Sequence, residues 1–145
     1  MEQLKNIDDE SIQTVVTSPP YWGLRDYGVD NQLGLESTPQ EYVKALVGIF
    51  KEVKRVLRPN GTVWLNLGDT YVGTGKDDTG DPKALEHINT KKDSVNNKVP
   101  GLASKNLVGI PWRVAFALQD DGWFLRQDII WAKPNAMPEP VKDRC

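Results

Sequence analysis

Residues 38–67 read TPQEYVKALVGIFKEVKRVLRPNGTVWLNL, and this stretch decides the fold. Thr38-Pro39-Gln40-Glu41 is a capping box with proline at the first helical position. The Thr38 hydroxyl can take a free amide of the first turn while the Glu41 carboxylate reaches back to the amide of Thr38. Tyr42, Leu46, Ile49, Phe50, Val53 and Leu57 recur at helical spacing, with Lys44, Lys51, Glu52, Lys54 and Arg55 on the other faces. The spacing predicts a helix ended by Pro59-Asn60-Gly61. Thr62 to Leu67 then predicts a mostly buried strand. Upstream, Ile12 to Thr17 (Ile-Gln-Thr-Val-Val-Thr) is rich in β-branched residues and is stopped by Pro19-Pro20, since proline has no amide to give a ladder. Strand, capped helix and strand are most economically joined as a right-handed βαβ crossover.

The rest of the chain extends that unit. Met1 to Ile7 can form a helical turn, with Asp8 to Ser11 as a connector, and Tyr21 to Ser37 is a loop punctuated by Gly23, Gly28 and Gly34. Leu107 to Asp121 is helical around Pro111 to Leu118, with Gly122 as its stop. Trp123 to Trp131 predicts a third strand, closed by Lys133-Pro134. The expected fold is α/β: a βαβαβ half of a doubly wound, mostly parallel sheet. Ligands of such sheets bind beyond the carboxyl ends of the strands. Ser18-Pro19-Pro20-Tyr21 and Gly68-Asp69 both come just after strand ends, which places them on one edge. Residues from about 71 to 105 form a long irregular loop, and loops of that length are usually functional or disordered.

Bulk properties narrow the function. A chain of 145 residues, 39% hydrophobic and 26% charged, is an ordinary single globular domain, 1–145. No apolar run approaches the roughly 18–20 residues of a membrane span, and the N-terminus lacks the order of a signal peptide, so a cytoplasmic location is expected. One cysteine, Cys145, excludes an intrachain disulfide and a cysteine-rich zinc site; one histidine, His87, argues against a histidine-based metal centre. Net charge is −2, without the basic face of a complete nucleic-acid module. A protein of this composition that acts on DNA either segregates its charge or carries its phosphate-gripping part elsewhere.

Val16-Thr17-Ser18-Pro19-Pro20-Tyr21 resembles the catalytic signature of the DNA amino-methyltransferases, which have a Rossmann-like fold and move a methyl group from S-adenosylmethionine to an exocyclic base amine. Tyr21 to Gly28, Leu65 to Asp69, Leu107 to Arg113 and Trp131 to Asn135 resemble segments of that family in its order. Serine in the first position is similar to the N(4)-cytosine enzymes; the N(6)-adenine enzymes more often carry aspartate or asparagine there. The resemblance implies a catalytic set of Ser18, Pro19, Pro20 and Tyr21. It implies substrate contacts from Tyr21, Trp22, Arg25, Trp131, Lys133 and Asn135, and cofactor contacts from Thr17, Ser18 and Asp69. It further implies DNA as partner and a restriction endonuclease in the same system.

The residue types suit that chemistry. An exocyclic amine is a poor nucleophile because its lone pair is delocalised into the ring, and acceptors around its N–H bonds draw it toward a tetrahedral, reactive geometry. The Ser18 hydroxyl and Pro19 carbonyl can serve as those acceptors. Consecutive prolines fix φ and place no backbone donor nearby. Serine is too weak a base to ionise the amine, but the methylated nitrogen is acidic enough to lose its proton to water. Catalysis then rests on alignment of amine, methyl and sulfur. Tyr21 would offer the face on which a flipped base stacks: extrusion costs a few kcal/mol, and stacking returns roughly 1–3 kcal/mol.

Plainer readings stand beside these. A proline pair after a strand is usually a terminator. Trp22, Arg25 and Asp26 either line the pocket or hold the loop, and Trp131, Lys133 and Asn135 either pack near the target base or end a strand. Asn66 reads as a turn former; Asp69 is open between turn and cofactor. Tyr71-Val72-Gly73-Thr74-Gly75 mimics the family's aromatic-x-Gly-x-Gly cofactor loop, but Lys76 to Pro82 cannot start a helix at once, so it reads as a decoy. Lys91-Lys92 is a solvated charge pair or a phosphate contact.

In the order this chain keeps, the cofactor loop and target-recognition region would lie beyond Cys145. The chain therefore reads as the catalytic part of a longer enzyme, inactive in isolation, with apolar surface on its first strand inviting a dimer or swapped assembly. The alternative readings are an N(6)-adenine enzyme and a non-catalytic remnant that binds a partner or nucleic acid.

Overall fold

The computed structural model describes residues 3–73 and 99–135. In chain order it holds a short 3-10 turn (Gln3–Asn6), strand β1 (Ile12–Thr17), helix α1 (Pro39–Val56), strand β2 (Leu57–Leu65) and helix α2 (Ile110–Asp120). β1 and β2 pair in parallel, as the crossover reading requires, and the fold is α/β. The readings at His87, Lys91-Lys92, Thr74-Gly75 and Cys145 lie outside the described residues.

The α1 cap forms as its sequence dictates. Thr38 Oγ1 accepts from the Glu41 amide at 3.2 Å and the Thr38 amide donates to Glu41 Oε2 at 3.2 Å. The helix stops at Val56, and Leu57 is already the extended first residue of β2. The residue before a proline is pushed out of the helical region, so Arg58 cannot continue the helix and the chain turns just ahead of it. Ile12 pairs with Leu57, but Thr14 next pairs with Thr62; the extra residues of β2 bulge over the start of β1. A Cβ at Gly61 would stand 2.9 Å from Arg58 O and 3.1 Å from Gln13 O, so the bulge needs glycine there. Regular pairing runs on to Thr17 and Leu65, and the Asn66 amide extends it by donating to Thr17 O at 2.9 Å.

The core lies between α1, α2 and one face of the sheet. Tyr42, Leu46, Phe50, Val53, Val108, Ile110 and Val114 are buried, with Ile12, Val15, Val63 and Leu65 packed against them. Alternate residues of the strands face away from it, and Val16 is 76% and Trp64 52% exposed. β2 is thus buried on one face rather than on both, because the described helices cover only one side. The exposed apolar surface expected on β1 is present.

Two further expectations need correction. Trp123 to Trp131 is not a strand, and the sheet has two strands among the described residues. Trp123 is drawn onto the core, edge-to-face with Phe50 at 6.2 Å, while Lys54 donates to the carbonyls of Asp121 and Gly122. Beyond that anchor the run meets no ladder partner among the described residues, and Phe124, Ile130 and Trp131 are 86%, 85% and 73% exposed. A β-prone sequence becomes a strand only through its neighbour. Helix α2 begins at Ile110 rather than Leu107. Leu107 instead bridges Tyr71 antiparallel, with Val72 donating to Asn106 O and Val108 to Thr70 O, both at 2.9 Å or less. The two ends of the 71–105 stretch are thus joined by a short antiparallel ribbon.

Candidate active site

The parallel pairing of β1 and β2 brings Ser18 to Tyr21 beside Gly68, as the shared sheet edge requires. The Tyr21 ring lies on Gly68 so closely that a Cβ there would fall 2.6 Å from Cδ2 and 2.7 Å from Cε2. Ser18 is exposed and its hydroxyl donates to Tyr21 Oη at 3.2 Å. A hydroxyl that donates keeps its lone pairs, so Ser18 Oγ remains an acceptor. Neither Pro19 nor Pro20 has an amide, and the two carbonyls differ in their partners. Pro20 O accepts from Tyr42 Oη at 2.8 Å, whereas among the described residues no hydrogen bond reaches Pro19 O.

Tyr42 comes from α1 and is fully buried, at 0% exposure. Burial pushes its hydroxyl far above the ordinary tyrosine range, with Glu36 and Tyr21 adding to the effect, so it stays a donor. Gly34 lies against the turn at φ +98°, where a Cβ would meet Tyr21 O at 2.9 Å and Pro20 O at 3.4 Å.

The loop from Trp22 to Ser37 is tied to itself. Trp22 is buried and its Nε1 donates to Glu36 O at 2.9 Å; Gly23 donates to Gly34 O at 2.8 Å, and Gly34 to Glu36 Oε2 at 2.9 Å. Trp22 therefore staples the loop to the core instead of presenting its ring at the site. Gln32 bridges the Arg25 carbonyl and the Tyr27 amide, and Asp26 caps Gly28. Arg25 is exposed, with its guanidinium 5.9 Å from the centre of the Tyr27 ring.

Asp69 holds a helix. Its carboxylate accepts from the amides of Gly109 and Ile110 at 3.0 Å and of Thr70 at 2.9 Å. Gly109 has no side chain to cap α2, and Asp69 supplies that cap from beyond β2, where a negative charge also suits the positive end of the helix. Trp131, Lys133 and Asn135 are exposed, on the run after α2 that is not a strand.

A family model described as DNA methylase matches residues 12–145. The chain belongs to the DNA methylase family. It is 53% identical to the Type II methyltransferase M.XycI of Xanthomonas campestris pv. cyanopsidis, across 97% of this chain and 46% of that protein. It is 51% identical to the Type II methyltransferase M.Cfr9I of Citrobacter freundii, across 97% and 46%, and 48% identical to M.SmaI of Serratia marcescens, across 99% and 48%. The chain thus spans about half the length of the curated relatives it matches. No solved structure matches it. Among the described residues, no helix is long and apolar enough to cross a membrane, and no acidic, histidine or cysteine group is placed to hold a metal.

As a DNA methylase segment, the chain shows what sequence reasoning missed at its signature turn. Tyr42 counted only as a member of the apolar stripe, although a tyrosine on that stripe carries a hydroxyl that must find a partner once buried. Gly34 read only as loop punctuation and Gly68 only as the residue after a strand end; their roles depend on contacts across the fold.

Proposed function

We propose that this chain is the amine-holding part of a Type II DNA methyltransferase that methylates the exocyclic amine of a flipped base, cytosine N(4). The observation that carries the reading is the turn at the end of β1. It presents the Ser18 hydroxyl and the open Pro19 carbonyl beside a Tyr21 ring backed by Gly68. Two acceptors at an amine suit its two N–H bonds, and the ring offers a stacking face for the extruded base. Serine at position 18 favours cytosine. Pro19-Pro20-Tyr21 is equally compatible with adenine N(6), which is the second reading. The Type II naming of the relatives supports DNA as partner and a restriction-modification setting.

S-adenosylmethionine, when bound, supplies the methyl group. Of the residues assigned to it, Ser18 stands exposed at the turn and Thr17 half-buried behind it, on the edge where such a ligand would meet the amine. Asp69 does not fit a direct contact, since its carboxylate is turned onto the amides of α2. Its contribution is to fix the helix that comes next. Ser18 and Pro19 orient the amine, Tyr21 holds the base, and the proton leaves the methylated nitrogen for water.

Labelled-methyl transfer to DNA by the full-length gene product tests the reading. Ser18→Ala is expected to slow transfer about 10²-fold by loss of alignment. Tyr21→Ala should cost about 1–3 kcal/mol of base binding. A wild-type protein that binds S-adenosylmethionine but methylates no DNA would favour a non-catalytic remnant.

A further inference from the structure

Tyr42 lies outside the signature, on a helix whose other buried side chains serve packing alone. Its ring belongs to the core, yet its hydroxyl leaves the core to meet Pro20 O at 2.8 Å. The turn it meets is unusual in its needs. With no amide at Pro19 or Pro20, that pair cannot be oriented by donating into the β1–β2 ladder, which ends at Thr17 O. A donor from outside the pair can set the peptide planes, and among the described residues Tyr42 supplies one at Pro20 O.

We propose that Tyr42 is a positioning residue of the amine-binding turn: its hydroxyl fixes the Pro20–Tyr21 peptide, and through it the aim of the Pro19 carbonyl and the seat of the Tyr21 ring on Gly68. The inference rests on the function proposed above. It also gives the proline pair a division of labour, with Pro20 O held by the protein and Pro19 O left for the amine. Gly34 also packs against this turn, close enough that a Cβ there would meet Tyr21 O at 2.9 Å and Pro20 O at 3.4 Å. Burial beside Glu36 keeps the hydroxyl protonated, so the donor persists across the working pH range.

The test uses the full-length gene product and single-turnover methyl transfer to duplex DNA, with S-adenosylmethionine binding measured separately. Tyr42→Phe keeps the buried ring and removes only the donor. The expected result is a rate lower by about 10- to 100-fold, the scale of a misaimed reacting group, with cofactor affinity within about 2-fold of wild type. Val53→Ala serves as the packing control, since it trims the same core away from the turn, and should leave the rate of the folded enzyme within about 2-fold. If Tyr42→Phe does not fold, Tyr42→Met removes the same hydroxyl with a side chain that adapts to the space. A hydroxyl-free variant that folds and keeps its rate within about 2-fold overturns this inference alone. A loss matched by Val53→Ala also overturns it, by showing a packing role. A wild-type enzyme that transfers no methyl to DNA overturns the functional reading, and this inference with it.

Discussion

Ile12–Thr17 and the run from Trp123 to Trp131 are both rich in β-branched and aromatic residues, yet only the first is a strand. The first has β2 beside it, delivered by a capped helix of the right length, and its register is held to Leu65. The second leaves α2 with Trp123 anchored on Phe50 and Lys54, then runs on with Phe124, Ile129 and Ile130 exposed. Strand propensity states that a segment suits a half-buried pleat; a partner decides whether it becomes one. The candidate site residues divide the same way. Ser18 to Tyr21 inherit the order of the paired region, and Trp131, Lys133 and Asn135 sit on the unpaired one.

Single substitutions can undo this contrast between the paired and unpaired regions. Phe50→Ala removes a buried ring that packs the paired region and anchors the start of the other, and should cost about 3–5 kcal/mol in equilibrium unfolding. A cost below about 1 kcal/mol would show that the two regions do not share that anchor. Gly34→Ala places a Cβ against Tyr21 O at a positive φ, and should cost about 1–3 kcal/mol. A neutral outcome would mean the loop is free to move off the turn. Thr38→Ala should cost about 1 kcal/mol through loss of the cap on α1. At the small end, Phe124→Ala in this chain should change stability by no more than about 0.5 kcal/mol. A cost of about 2 kcal/mol or more would show that the unpaired run is packed after all.

Tyr42 also sets a pH dependence. Its folded hydroxyl titrates above the unfolded value of about 10. The associated stability is therefore fully present below about pH 10 and is lost as pH rises beyond it. Tyr42→Phe should lose less stability between neutral and alkaline pH than wild type. Equal alkaline slopes would place the ionisation elsewhere.

What could be read in the sequence was local. The capping box, the apolar stripe of α1 and the proline stop after β1 each act over a few residues, and the parallel pairing came from them. The bulge at Arg58–Gly61 was not legible, because it answers to Gln13 across the sheet. Neither was the task of Asp69, whose partners at Gly109 and Ile110 lie far along the chain and meet it only once α2 is docked. Tyr42 shows the same limit from inside a correct reading: periodicity placed its ring in the core, but its hydroxyl partner depended on where the proline turn came to rest. Trp22 is the reverse case, a candidate for the pocket that packing claimed.

In the function proposed above, the Ser18-Pro19-Pro20-Tyr21 turn holds an exocyclic amine for methylation, and serine directs it to cytosine. Mass analysis of nucleosides from DNA incubated with the full-length gene product and S-adenosylmethionine decides this. The expected product is N(4)-methylcytosine, lost on Ser18→Ala. N(6)-methyladenine in its place, or unmodified DNA from an enzyme that binds its cofactor, would contradict it.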